Sequence, residues 1–104
     1  MKSEFITRIW HGTTAAEEAD KYFDFLVRRT VPDYKSTTGN LGVKILRRIA
    51  DNKCHFWIAT KWRGIEDIKK FAGEDYESAK YYPEDVDFLL DLEPKAIHCE
   101  TYEF

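Results

Sequence analysis

The order of strand-like and helix-like segments predicts an α+β fold, with a four-stranded antiparallel sheet and helices on one face. Three observations support this prediction. Runs of β-branched and aromatic residues alternate with runs of helical periodicity, their order is β-α-β-β-α-β, and a short turn joins the two central strands. This is the order of a ferredoxin-like arrangement. Because no linker or repeat interrupts the 104 residues, we expect a single domain over residues 1–104.

The first strand and the first helix occupy the beginning of the chain. Residues 5–11 (FITRIWH) predict strand one, which the following Gly-Thr-Thr ends. A Thr-x-x-Glu capping box comes next, and apolar residues then recur at helical intervals as far as Thr30. Pro32 is expected to end this helix, because it lacks an N–H donor and disfavours the α conformation in the residue before it. Residues 33–42 are therefore predicted to form a loop.

Two further strands are predicted to pair as a hairpin. Residues 43–49 (VKILRRI) and residues 54–62 (CHFWIATKW) have strand-like composition. The Asp-Asn pair between them tolerates positive φ, which a tight turn requires.

The last third of the chain predicts a short helix and the fourth strand. An apolar stripe over residues 65–72 predicts helix two, which Gly73 caps. Residues 74–80 could add a turn or two, and Pro83 is well placed to begin another helical piece. Residues 95–102 (KAIHCETY) follow a proline and predict strand four.

Side-chain alternation along the strands predicts two faces of the sheet. One face is expected to carry Thr7, Ile9, Val43, Ile45, Phe56, Ile58 and Trp62, and the other Ile6, Arg8, Trp10, Leu46, Arg48, Trp57, Ala59 and Lys61. The second set is too apolar for an ordinary solvated face. We therefore expect a homodimer with Trp10 and Trp57 in its interface.

Composition and missing motifs narrow the class of partner. Sixteen basic residues against nineteen acidic ones give a net charge of −3, without the basic excess typical of nucleic-acid binding. Long apolar stretches and a signal peptide are absent from the sequence, so we expect no membrane partner and a cytoplasmic location. Cys54 and Cys99 are expected to be reduced thiols. No metal-ligand spacing or phosphate-binding loop occurs, so neither a metal nor another cofactor is expected.

Five segments carry a resemblance to a known family: FWIATKWRGIEDIKKFAGED, ITRIWHG, VPDY, TTGNLG and YYPEDVDFLL. They resemble the antibiotic biosynthesis monooxygenase group of dimeric α+β barrels, in its mostly uncharacterised branch that contains YYPED. The resemblance implies two subunits whose sheets close a shared barrel, with a pocket between each sheet and its own helices. It also implies one of two activities, since members of the group include cofactor-independent quinone-forming oxygenases and haem-degrading enzymes.

The haem-degrading members differ from this chain in their site residues. They use an Asn on strand one, a Trp at the end of strand three and a His on the next helix. Trp62 matches that Trp, but Thr7 stands at the Asn position and residues 65–80 contain no His. The resemblance therefore favours a cofactor-independent monooxygenase over a haem-degrading enzyme.

A small aromatic or phenolic substrate is the ligand that this interpretation implies. Cofactor-free oxygenation needs a base to remove the phenol proton and a pocket that excludes water. We expect His11 or His98 to be the base and Trp62 to stack on the ring. The candidate residues for binding the substrate are Thr7, Tyr34, Trp62 and Tyr82. The alternative function is a non-catalytic small-molecule-binding or structural homodimer, because a fold does not determine a function.

Overall fold

Four antiparallel strands form one sheet in the computed structural model, which describes residues 4–104. They are β1 (Phe5–Ala15), β2 (Asn40–Ala50), β3 (Lys53–Trp62) and β4 (Ile97–Thr101), and their spatial order is β2-β3-β1-β4. The α+β prediction with a four-stranded antiparallel sheet is confirmed, and this strand order is compatible with a ferredoxin-like fold.

β1 is longer than its composition predicts. It continues through Gly12 to Ala15 because it pairs with β3 along nearly its whole length, from Ile6 opposite Trp62 to Ala15 opposite Lys53. The predicted capping box does not form, since its threonine lies inside the strand. The β2–β3 turn is confirmed: Asp51 and Asn52 have φ of 54° and 62°, as a two-residue hairpin turn requires.

The first helical segment does not end at Pro32 as predicted. It consists of a 3-10 turn (Ala16–Glu18), α1 (Ala19–Phe25), a π-helical turn (Leu26–Thr30) and α2 (Val31–Ser36). The N–H of Val31 bonds to the carbonyl of Leu26, five residues back, so the α-helical ladder is interrupted there. Pro32 then falls in the first turn of α2, where its missing N–H costs nothing.

The second helical segment lies where the periodicity predicts it. α3 spans Ile65–Ala72, and Gly73 follows it with a φ of 90°, a conformation that favours glycine. Residues 74–80 add no helix, and the proline-initiated piece is a 3-10 turn over Pro83–Asp87. No helix among residues 4–104 has both the length and the apolar character needed to cross a bilayer.

The helices cover one face of the sheet, which we call the helix face. Its core joins strand residues to helix residues: Trp10, Phe56, Ile58 and Trp62 from the strands, and Tyr22, Leu26, Ile68 and Phe71 from the helices. The opposite face, which we call the open face, carries the alternate residues of the same strands. Partners in the β1–β3 register share a face, so Thr7, Ile9 and His11 lie there with Trp57 and Lys61.

This register corrects the predicted faces of β1. Trp10 pairs with Ile58, is 4% exposed and packs edge-to-face against Tyr81, so it is a core residue and not part of the open face. Trp57 lies on the open face as predicted. The prediction grouped Arg8 with the outward cationic residues of β2 and β3, whereas Arg8 is fully buried on the helix face.

Gly12 tests this assignment of faces, because a Cβ there would overlap the ring of Trp10 and approach Leu89 at 3.0 Å. We expect Gly12→Ala to lower the free energy of unfolding by about 2 kcal/mol, since the packed ring must move. Gly42→Ala, on β2, is the matched control because nothing lies within 4 Å of its added Cβ. Chemical denaturation of both variants measures the difference, and equal stabilities would contradict the assignment.

Candidate functional site

The predicted pocket between sheet and helices is nearly filled by side chains. A cavity of about 10 Å³ remains there, which we call the helix-side cavity; Tyr22, Tyr34, Tyr82 and Asp85 are among its walls. This volume is about enough for one water molecule. An aromatic ring does not fit into the helix-side cavity of this structure.

Two of the predicted ligand-binding residues are core residues here. Trp62 is fully buried, its Nε1 donates to Oγ1 of Thr60 at 2.8 Å, and its ring does not line the cavity. Tyr34 stacks on Phe71 with ring centroids 4.2 Å apart, and burial raises its pKa to about 12. Neither ring offers an open side to a ligand.

Tyr82 fastens an irregular segment to α2. Its hydroxyl donates to the carboxylate of Asp33, which also accepts a hydrogen bond from Nζ of Lys80 at 3.1 Å. Burial, followed by the contact with Asp33, raises the pKa of Tyr82. Tyr82 therefore holds residues 80–82 against α2, and its hydroxyl proton is used in the hydrogen bond to Asp33.

A second buried anchor lies under the 3-10 turn. The hydroxyl of Tyr22 donates to Oδ1 of Asp85 at 2.8 Å, and the backbone N–H of Tyr82 donates to Oδ2 of Asp85 at 2.7 Å. Burial raises the pKa of Asp85, although these hydrogen bonds oppose the change. Both carboxylate oxygens are thus used to hold the turn on the core.

Arg8 and His98 are neighbours on β1 and β4 at the other side of the helix face. Arg8 is fully buried; it donates to the carbonyl of Ser78 at 2.9 Å and contacts the hydroxyl of Tyr34 at 3.5 Å, and it forms no ion pair with residues 4–104. Burial, together with this cation, lowers the pKa of His98. His98 therefore lies apart from His11, on the opposite face of the sheet.

Four side chains lie together on the open face: His11, which was predicted as a base, and Glu93, His55 and Trp57. Nδ1 of His11 lies 2.5 Å from Oε2 of Glu93, and Nε2 of His11 lies 3.0 Å from Nδ1 of His55. The rings of His11 and His55 are stacked, with centroids 5.2 Å apart, and the indole of Trp57 lies 5.3 Å from the first and 5.7 Å from the second. Glu93, His11 and His55 thus form a continuous hydrogen-bonded chain beside a large aromatic ring.

These residues line a groove of about 590 Å³, which we call the open-face groove. Its remaining walls are Ile9, Ile97 and Lys95. Isoleucine side chains and the Trp57 ring make most of the surface apolar, while imidazole, carboxylate and ammonium groups supply a few polar contacts. Such a combination is typical of small-molecule sites.

Thr7 lies on the open face but outside this groove. Its Oγ1 is 2.6 Å from Oγ1 of Thr101, and it lines a separate depression of about 380 Å³ with Phe5 and Lys61 among the walls. The structure therefore separates the predicted site residues: Tyr34, Trp62, Tyr82 and His98 lie on the helix face, and Thr7 and His11 on the open face.

The sequence analysis did not predict three polar residues of the groove, which are His55, Glu93 and Lys95. Glu93 is 82 positions from His11 and lies in an irregular segment, so no local pattern connects the two. Lys95 lies in the same segment. The spacing of His55 and Trp57 was the available signal, because residues two apart on a strand share a face.

The comparisons with known proteins add no identification. No protein-family model matches the chain, and no curated protein matches it. Within the part of the chain that the structure describes, no group of three or more His, Cys, Asp and Glu side chains is arranged to hold a metal ion.

The Asp33 anchor predicts a pH dependence of stability. Burial works to raise the pKa of Asp33, but hydrogen bonds from Tyr82 and Lys80 outweigh it and hold the pKa below the usual value. A lowered pKa contributes stability above the unfolded-state pKa, and this contribution disappears as the pH falls. We expect Asp33→Asn to lower the free energy of unfolding by about 1 kcal/mol at pH 7, and the difference from the wild type to shrink between about pH 5 and about pH 3.

Chemical denaturation over this pH range measures the Asp33 effect. Asp91→Asn is the matched control, because Asp91 is exposed and forms no hydrogen bond or ion pair with the residues that the structure describes. A difference between Asp33→Asn and wild type that stays constant with pH would show that the anchor carries no ionic contribution.

Proposed function

We propose that the protein binds a small planar phenol in the open-face groove. The observation that carries this proposal is the contrast between the two faces: the groove of about 590 Å³ contains exposed ring surface, whereas the helix-side cavity of about 10 Å³ contains none that a ligand could reach. Trp57 offers a stacking surface, and the imidazoles offer polar contacts to a hydroxyl group.

The reaction that we propose for the bound phenol is cofactor-independent monooxygenation. Support for it comes from the resemblance to the antibiotic biosynthesis monooxygenase group and from a histidine chain beside the groove. Oxygenation of this kind begins when a base removes the phenol proton. The groove differs in position from the pocket that the resemblance implies, which lies between the sheet and the helices.

A second copy of the chain is the partner that we propose for the open face. Leu46 is 51% exposed and Ile97 63%, and these two flank Trp57 and Ile9 across the sheet. Burying this apolar surface against an identical face would stabilise a homodimer. It would also close the groove and exclude water from a bound phenol.

Trp57→Ala tests the position of the ligand. We expect the variant to bind phenol about tenfold more weakly, because loss of a stacking surface costs roughly 1.4 kcal/mol. Isothermal calorimetry measures the affinity, and Trp10→Phe on the helix face serves as the control that keeps it. Unchanged affinity in Trp57→Ala would place the ligand elsewhere. Oxygen uptake by the phenol-saturated protein then reports whether oxygenation follows binding.

Leu46→Glu tests the homodimer. We expect wild type to sediment as a dimer at micromolar concentration and Leu46→Glu to sediment as a folded monomer, because a buried carboxylate would lack a partner in the interface. Val86→Glu is the matched control, since Val86 is 66% exposed in the 3-10 turn away from the sheet. A monomeric wild type, or a dimeric Leu46→Glu variant, would exclude the open face as the interface.

A further inference from the structure

We propose that Glu93, His11 and His55 form a proton relay whose outer atom, Nε2 of His55, removes the proton of a phenol bound in the open-face groove. This inference rests on the proposed function, because it needs a ligand in that groove. It adds the catalytic residue and the property of the substrate that matters, an ionisable hydroxyl group.

The contacts of His11 show that it is not the base itself. Its Nδ1 faces Glu93 at 2.5 Å and its Nε2 faces Nδ1 of His55 at 3.0 Å, so neither nitrogen is free for a ligand. Nε2 of His55 forms no hydrogen bond with the residues that the structure describes, and His55 is only half-buried. His55 is therefore the member of the chain that can receive a proton from outside. His11 is a positioning residue.

The hydrogen bonds also assign the tautomers. A carboxylate accepts only, so Nδ1 of neutral His11 carries its proton and donates to Glu93. Nε2 of His11 is then an acceptor, and Nδ1 of His55 must be the donor. The remaining nitrogen of His55, Nε2, keeps an unshared electron pair. This arrangement leaves a basic atom at the outer end of the chain.

The proton transfer can be followed atom by atom. The O–H bond of the phenol breaks, its electron pair stays on oxygen, and an N–H bond forms at Nε2 of His55. Nδ1 of His55 can then pass its proton to Nε2 of His11, which becomes an imidazolium next to the Glu93 carboxylate. No electron is exchanged with another reactant. The carboxylate stabilises the positive charge that the relay takes up.

Charged groups around His55 favour the resulting phenolate. Arg48 lies opposite His55 in the β2–β3 register, and Lys95 lines the groove. Neither cation forms an ion pair with another residue of the part of the chain that the structure describes. The carboxylate of Glu93, the anion among the groove walls, is engaged by His11. A phenolate in the groove would therefore meet the ammonium group of Lys95 and no free anion, with Arg48 next to His55 but outside the groove walls, and this stabilises its charged form.

A chromophoric phenol tests the relay without knowledge of the natural substrate. 4-Nitrophenol reports its own ionisation, because its phenolate absorbs visible light. In the wild type, we expect the ionisation midpoint of the bound probe to lie at least about 1 pH unit below that of the free probe. In His55→Gln, which keeps an amide next to His11, the probe should still bind but should keep only the part of the shift that the nearby cations supply. Glu93→Gln should lose most of the shift.

Matched controls separate the relay from the surrounding charges. Glu100→Gln removes a carboxylate of β4 that lies outside the groove walls, and it should behave as the wild type. A shift of the same size in His55→Gln as in the wild type would assign the whole effect to Arg48 and Lys95 and would overturn the relay. A bound probe with an unshifted midpoint in the wild type would overturn it as well. Absence of binding would instead contradict the proposed function.

Imidazole nitrogen resonances of the unmodified protein provide a second readout that needs no variant. We expect the ¹⁵N spectrum of neutral His55 to show a protonated Nδ1 and an unprotonated Nε2. A protonated Nε2 in neutral His55 would contradict the direction of the chain.

Discussion

The pairing of β1 with β3 is the constraint on which the rest of the structure depends. Side chains alternate between the two faces of a strand, so the register of the pairing decides which face each residue of β1 occupies. Trp10 pairs with Ile58 and joins the core, and His11 pairs with Trp57 and joins the open face. A shift by one residue would place the imidazole in the core and the indole outside, and the histidine chain could not form.

The polar groups of the two faces have different roles. On the helix face, buried polar groups hold the irregular segment before β4 in place: Tyr22 binds Asp85 in the 3-10 turn, and Asp33 binds Tyr82. On the open face, the polar groups of Glu93 and His55 border empty space. Stability and proposed chemistry therefore occupy opposite sides of one sheet, and a substitution in the groove can test function without removing the core.

Local sequence patterns predicted the strands, turns and helices better than they predicted the tertiary contacts between them. The Asp51–Asn52 turn and α3 follow from turn chemistry and helical periodicity, which act over a few residues. The end of the first helical segment was missed, because the π-helical turn before Pro32 changes the hydrogen-bond ladder in a way that composition does not show. The groove as a whole was not predicted, because tertiary contacts bring its residues together. Arg8 is buried despite its charge, and Glu93 reaches His11 from a distant segment.

The central claim is that ligands meet the open face and not the helix face, and the three indole N–H resonances test it most directly. Trp10 and Trp62 lie in the core, whereas Trp57 lines the open-face groove. In a ¹H–¹⁵N titration with phenol, we predict a saturable shift of the Trp57 indole while the other two indoles stay in place. A shift of the Trp62 indole with Trp57 unchanged would contradict this account and would move the site to the helix face.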